Sequence, residues 1–407
     1  MNAQPVITGI GVIAPNGIGK ENYWKALREG TSGIRPISVF ETAFFKAHTA
    51  GEIADFEAER FLGSKGLRNM DRSTRLLCSA TKLAIDDAGL QIGENNTDDV
   101  GVTTATTLSV IFNISQFTKD AAQEGPQYVN PAMFPGTTIN SPSSQLAIRF
   151  GIKGFNATVS TGYSASLDAL KYSVDMIKSG RSKAVLVAAV ESLFFQTFVG
   201  FYKLEFLAGI KGEELSCPFD KRRNGIILGE GSCVLVVEDE EFARSRGATI
   251  YARVAAVESF FDPFRSGKYN PKAVGLKRSI SEAMQNARLA PEKLDYICAT
   301  ANSVVHQDAI ETAVIKEVFG AQAARIPVSA TKSMLGETVS ASGLLQIAAG
   351  IGSIQQGFIP PTINYREIDP VCDLDYVPNQ ARQKKINTVL VNNFGPGGNN
   401  AAAIISR

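Results

Sequence analysis

The chain has 407 residues, 44% of them hydrophobic, which is enough for a large buried core and too much for one compact pair of layers, so two halves are expected. Its 41 basic and 40 acidic residues leave a net charge of +1, which removes the electrostatic footprint of a nucleic-acid binder. No segment runs to the ~18 apolar residues of a membrane helix, Met1–Pro15 carries no charged leader, and Cys78, Cys217, Cys233, Cys298 and Cys372 are irregularly spaced. They fit reduced core thiols better than disulfides or a zinc site. The chain is therefore expected to be cytoplasmic, without membrane, nucleic acid, metal or cofactor.

Along the chain, strand-like runs alternate with helical ones. The strands are expected at Val6–Val12, Val100–Ala105, Ala157–Thr161, Ala184–Val190, Gly231–Glu238, Tyr251–Val257, Tyr296–Thr300, Pro327–Ala330, Thr388–Asn392 and Ala401–Ile405. The helices are expected at Lys20–Gly30, Ser73–Ala88, Ser166–Ser179, Glu240–Arg246, Asn270–Asn286, Ile310–Phe319 and Ser340–Gln356. Such alternation indicates an α/β protein. A strand, a glycine-rich turn and a helix recur in each half, which points to an internal duplication: residues 1–245 and 246–407. The charged Glu238–Gly247 stretch lacks proline and reads as a joining helix.

The most informative local pattern is Ser160-Thr161-Gly162-Tyr163-Ser164-Ala165. A strand leads in and an amphipathic helix leads out, so position 163 lies at a helix N-terminus, where free N–H groups and the dipole favour an anion. A cysteine there would be a low-pKa nucleophile. A tyrosine, with an ordinary pKa of about 10, is roughly one part phenolate in a thousand at neutral pH.

Five ordered blocks are more specific than any one glycine motif. They are Ile7–Gly17, Thr158–Thr161, Pro218–Gly225 running into Gly229-Glu230-Gly231, Thr331–Gly336, and Asn393-Phe394-Gly395-Pro396-Gly397-Gly398-Asn399. In this order the chain resembles, over essentially its whole length, the β-ketoacyl-acyl-carrier-protein synthases, or ketosynthases. The resemblance implies the thiolase fold: two pseudo-symmetric halves in five layers, α-β-α-β-α, working as a dimer. It also implies an active site with a cysteine that takes the acyl chain and two histidines that act on the extender thioester.

At those three positions this chain carries Tyr163, Thr300 and Glu337. A phenol without a neighbouring base is a poor nucleophile and leaving group, Thr300 cannot exchange a proton near neutral pH, and Glu337 would place negative charge where negative charge develops. The two histidines, His48 and His306, fall at neither position; His306 reads as a side chain on a loop. The resemblance makes Lys332, Asp308 and Glu311 retained support residues, expected here to form an ion-pair cluster around Lys332. Phe394, Gly395, Pro396, Gly397 and Gly398 match the family's gate loop, with Pro396 in place of a second phenylalanine.

Within the family, members lacking the nucleophile are the chain length factors of type II polyketide and polyene systems. The resemblance then implies a non-catalytic subunit that pairs with an active ketosynthase α-subunit, shapes its tunnel, and meets acyl carrier protein. By position, the tunnel wall is the region Thr106–Phe117. Leu108, Ile111, Phe112 and Ser115 share one helical face there, with Phe112 the expected stop; the same spacing also describes a core-facing stripe. The aromatic-rich Ser192–Gly209 reads as core or as interface. An independent condensing enzyme or decarboxylase of altered mechanism, and a free-standing carrier-protein or lipid binder, are the alternatives.

Overall fold

A computed structural model describes residues 4–265 and 267–407. In the first half, strands β1 (Pro5–Ala14), β2 (Val100–Ala105), β3 (Asn156–Val159), β4 (Ala184–Glu191) and β5 (Gly231–Asp239) pair in the order β3-β2-β4-β5-β1. In the second, β6 (Ala252–Phe261), β7 (Tyr296–Cys298), β8 (Val328–Ser329), β9 (Thr388–Phe394) and β10 (Asn399–Ser406) pair in the order β8-β7-β9-β10-β6. The directions match as well. In each half the two outer pairings at one end are parallel and those made by the last strand are antiparallel. A short antiparallel contact, Val6 to Arg253 and Ile7 to Ala252, links the two sets.

The helices are α1 (Lys20–Glu29), α2 (Arg72–Ala88), α3 (Ile111–Glu124), α4 (Ser141–Phe150), α5 (Ala165–Lys178), α6 (Phe195–Lys203), α7 (Glu240–Ser245), α8 (Val274–Asn286), α9 (Val305–Phe319) and α10 (Ser342–Gln356). Helix α5 packs on β2, β4 and β6, and α10 on β5 and β9, so both touch strands of both halves. They form the middle layer, with α2 and α4 outside one set of strands and α8 and α9 outside the other. This is the thiolase fold. Strands covered on both faces read as continuous apolar runs, and β1, β4 and β5 are buried almost throughout. The two central helices touch at Gly343, where a Cβ would lie 2.6 Å from Ser166 Oγ and 2.9 Å from Leu167 Cγ. Any side chain there would push the middle layer apart.

Every expected strand and helix exists, with ends shifted by a few residues. Helix α9 begins five residues before the expected start, which puts His306 in its first turn and not on a loop. Helices α4 and α6 were missed. Helix α4 opens Ser-Pro-Ser-Ser, which reads as a turn although proline is well suited to a helix's first turn. The aromatic density of α6 obscures any period. All five cysteines are free and buried. Among the described residues no helix is long and apolar enough to cross a membrane, and no group of His, Cys, Asp or Glu is arranged to hold a metal ion.

Candidate functional site

Strand β3 ends at Val159, and a single 3-10 turn, Gly162–Ser164, carries Tyr163 into α5. The turn is braced from inside the helix. Asp168 Oδ2 accepts the hydroxyls of Thr161 and of Ser164, the latter at 2.9 Å. Tyr163 is 8% exposed, and its hydroxyl has no hydrogen-bond partner among the described residues. Burial pushes its phenol well above the ordinary value, with the charge of Glu337 and then Tyr269 adding to the shift. Phenolate is thus scarcer than the sequence alone implied. Lys332 Nζ lies 5.8 Å from the ring centroid. The gate loop closes over the same ring: a Cβ on Gly395 would stand 2.5 Å from Tyr163 Cδ2.

Thr300 and Glu337, which the resemblance set at the positions of the family's histidines, are spent on internal bonds. Thr300, fully buried just after β7, donates its hydroxyl to the Asn392 carbonyl at 2.7 Å, and its N–H to Glu311 Oε1 at 2.8 Å. Glu337 pairs with Lys332 at 2.8 Å and accepts from Asn302 Nδ2 at 2.7 Å, from the Val339 N–H at 2.9 Å and from the Ser342 hydroxyl at 2.8 Å. Its negative charge is matched by Lys332 and its lone pairs are occupied, as a buried carboxylate requires. Asn302, Ser342 and Asn392 complete this network and were not singled out from sequence, because only the fold brings positions 302, 337 and 392 together.

The expected ion-pair cluster around Lys332 does not form with Asp308 and Glu311. Glu311 accepts the N–H groups of Thr300 and Ala301, both at 2.8 Å. Asp308 accepts those of Phe219 at 2.8 Å and Asn302 at 3.1 Å, with Arg223 Nε 3.8 Å away. Glu311 points its carboxyl at the backbone that follows β7, and Asp308 bridges that stretch to the backbone of Phe219, so each carboxyl is already engaged by N–H groups. Burial pushes Glu311 up to about 7 and Asp308 up to about 6. Lys332 takes Glu337 instead. His48 and His306 are both exposed and take no part in this network.

Phe394 ends β9 almost fully buried, with its carbonyl accepting from Gln307 Nε2 at 3.3 Å. Beside it, Tyr269, Gly395 and Gly398 line a cleft of about 10 Å³, the lower limit for one water. Gly397 is exposed and Pro396 half-buried.

The expected tunnel residues lie together but not all on one helix. Helix α3 starts at Ile111, so Leu108 belongs to the turn before it, its carbonyl accepting the Ile111 N–H at 3.1 Å. Leu108, Ile111 and Ser115 are half-buried, and Phe112 is 43% exposed and stacked on Phe194 with centroids 5.4 Å apart. A cavity of about 670 Å³ opens beside α3, lined by Phe112, Asn113, Met133, Ser144 and Ile148 among others. Of the four, Phe112 alone lines it. No residue of α3 is buried, so the core-stripe reading of this spacing fails for the single chain. The Ser192–Gly209 stretch divides: Phe198 and Leu207 are core, while Phe195 and Leu204 are exposed.

Residues 4–243 match the beta-ketoacyl synthase N-terminal domain and residues 251–366 its C-terminal domain. The chain belongs to the β-ketoacyl synthase family. The 3-oxoacyl-(acyl-carrier-protein) synthase 2 of Coxiella burnetii is 34% identical over 405 residues, 99% of this chain and 98% of its own length. The tetracenomycin polyketide synthase ketoacyl synthase alpha subunit of Streptomyces glaucescens is 33% identical, covering 99% of this chain and 96% of its own. Among solved structures, the ishigamide ketosynthase/chain length factor superposes with a TM-score of 0.93 at 33% identity, covering 100% of this chain and 99% of that one. This β-ketoacyl synthase therefore keeps the family's scaffold from end to end, with Tyr163, Thr300 and Glu337 all buried inside it.

Proposed function

We propose that this chain is a chain length factor: a non-catalytic ketosynthase-like subunit, built of halves 1–245 and 246–407, that pairs with an active ketosynthase α-subunit. It shapes the tunnel in which a chain delivered by acyl carrier protein grows. The observation that carries this reading is the state of the three replaced positions. Tyr163 is buried with its proton held tightly, the Thr300 hydroxyl is consumed by Asn392, and Glu337 is neutralised by Lys332. None can act as nucleophile or as oxyanion donor, so the several kcal/mol that such donors contribute to condensation are missing.

The pairing half of the proposal rests on surface. Strand β3 is a sheet edge and therefore carries unpaired backbone donors and acceptors. Helix α4, which packs on β3, carries Ile148, and Phe112, Ile114 and Phe134 belong to the neighbouring segments; the four are 80%, 43%, 44% and 59% exposed. Exposed apolar groups of this size mark an interaction face, here proposed for the ketosynthase α-subunit. The resemblance to the ishigamide ketosynthase/chain length factor and to a ketoacyl synthase alpha subunit favours the same assignment. The similarity to the Coxiella synthase favours a second reading, an independent condensing enzyme or decarboxylase of altered mechanism.

One assay separates the two. The chain is purified alone and with a ketosynthase that retains the cysteine and both histidines, and malonyl and starter carrier proteins are supplied. Condensation by the pair and none by the chain alone is expected. Turnover by the isolated chain that vanishes in Tyr163→Phe would overturn the non-catalytic reading.

A further inference from the structure

The apolar run of β4 ends in a carboxylic acid, Glu191, only 3% exposed. Its Oε1 accepts the Thr107 N–H at 2.6 Å, the Leu108 N–H at 3.1 Å and the Ser340 hydroxyl at 2.6 Å; Oε2 accepts Leu108 again at 3.1 Å. A buried acid is costly unless its partners are fixed. Here the partners are the first residues of the turn leading to α3 and the 3-10 turn Val339–Ala341 that opens α10. The same backbone is pinned a second time, since the Ser73 hydroxyl lies 3.1 Å from the Ser109 carbonyl and 2.9 Å from Ser192 Oγ.

On its other side, the Val339–Ala341 turn is held by Glu337 through the Val339 N–H and the Ser342 hydroxyl. A continuous series of bonds thus runs from Lys332 through Glu337, the 339–342 turn and Ser340 to Glu191, and ends on Thr107 and Leu108. Glu337, which stands where the family has a histidine, is one link of it.

We propose that Glu191 is a positioning residue for chain length. It sets where the Thr107–Phe112 segment lies relative to the former catalytic turn, and thereby where Phe112 stands at the tunnel. This rests on the chain-length-factor reading. Among the described residues no other side chain at the end of β4 bonds to both segments, and Oε1 by itself meets the two successive N–H groups and the hydroxyl, a role that a carboxyl or an amide oxygen can fill.

The test has two arms. Amide hydrogen exchange on the purified chain reads residues 105–112 directly. Glu191→Ala is expected to raise exchange there about tenfold, as loss of a buried hydrogen bond to those amides should. Ser340→Ala is expected to raise it less, and Glu191→Gln, whose carbonyl still accepts, to restore most of the protection. Unchanged exchange in Glu191→Ala, or equal damage in the Gln and Ala variants, would overturn the proposal. If Glu191→Ala does not fold, Ser340→Ala, which removes one hydroxyl, decides by the same criterion. In the reconstituted pair, Glu191→Ala and Ser340→Ala should broaden the product length distribution at unchanged subunit stoichiometry. An unaltered distribution with a working wild-type pair refutes the positioning role alone. A wild-type pair that makes no product refutes the chain-length reading, and the positioning role of Glu191 with it.

Discussion

Replacing Lys332 by methionine leaves Glu337, whose side chain is wholly buried, without the cation that pairs with it at 2.8 Å. Breaking a buried pair from one side costs about 3–5 kcal/mol, because the remaining charge has no solvent and no partner. The hydrogen bonds from Asn302, Val339 and Ser342 persist, so the lower end, about 3 kcal/mol, is expected. With an unfolding entropy of about 2.1 cal/mol/K per residue, a chain of 407 residues loses about 3–4 °C in Tm. Glu337→Gln should cost a similar amount, since it strands Lys332, which is 2% exposed. The double variant Lys332→Met/Glu337→Gln should cost far less than the two together, with a coupling of about 2 kcal/mol or more. Urea unfolding of all four proteins measures the cycle. Additive single effects, with coupling below about 0.5 kcal/mol, would refute the account of Glu337 as a neutralised structural charge. So would a reconstituted pair whose heterodimer is intact but whose condensation rate collapses in Lys332→Met.

Gly395→Ala should destabilise the chain by forcing a Cβ to within 2.5 Å of the Tyr163 ring, and Tyr163→Cys should relieve most of that loss; equal destabilisation in both backgrounds would show that the loop and the ring do not interlock. Tyr163→Cys alone should confer no condensation on the isolated chain, because Thr300 and Glu337 still lack the chemistry of the missing histidines; product formed by that variant would contradict this. Phe112→Ala in the reconstituted pair should lengthen the product, and an unchanged length distribution removes Phe112 from the tunnel. The pH dependence follows from Glu191, which burial pushes up to about 7. An acid whose folded pKa is raised keeps its proton longer in the folded state, so the stability it contributes is present at low pH and lost as pH rises from about 4.5 towards 7. Relative to wild type, Glu191→Gln should therefore gain on the order of 3 kcal/mol between pH 4.5 and 7.5; parallel stability curves for the two proteins would exclude this.

Much of this protein was legible in the linear sequence because the relevant signals are local. Strands such as β2, Val100–Ala105, announce themselves as apolar β-branched runs, and helices such as α1, α2 and α10 end at Gly30, Gly89 and Gly357, each in the left-handed region that glycine tolerates. The repeated grammar of the chain matched two sets of five strands in one order, and the turn around Tyr163 lies between β3 and α5 as its residues imply. What each replaced residue touches was not legible. Thr300 meets Asn392, and Lys332 pairs with Glu337, not with Asp308 or Glu311, whose carboxyls are claimed by the backbone N–H groups that follow β7 and by that of Phe219. Glu191 carried one signal in sequence, an acid closing an apolar strand. Its partners at 107, 108 and 340 are assigned only when β4 and the central α10 are packed together. Sequence thus determined most of the elements, their order and the family. Tertiary structure decided where the charges went, since pairing in a buried site depends on distances between segments up to 149 residues apart.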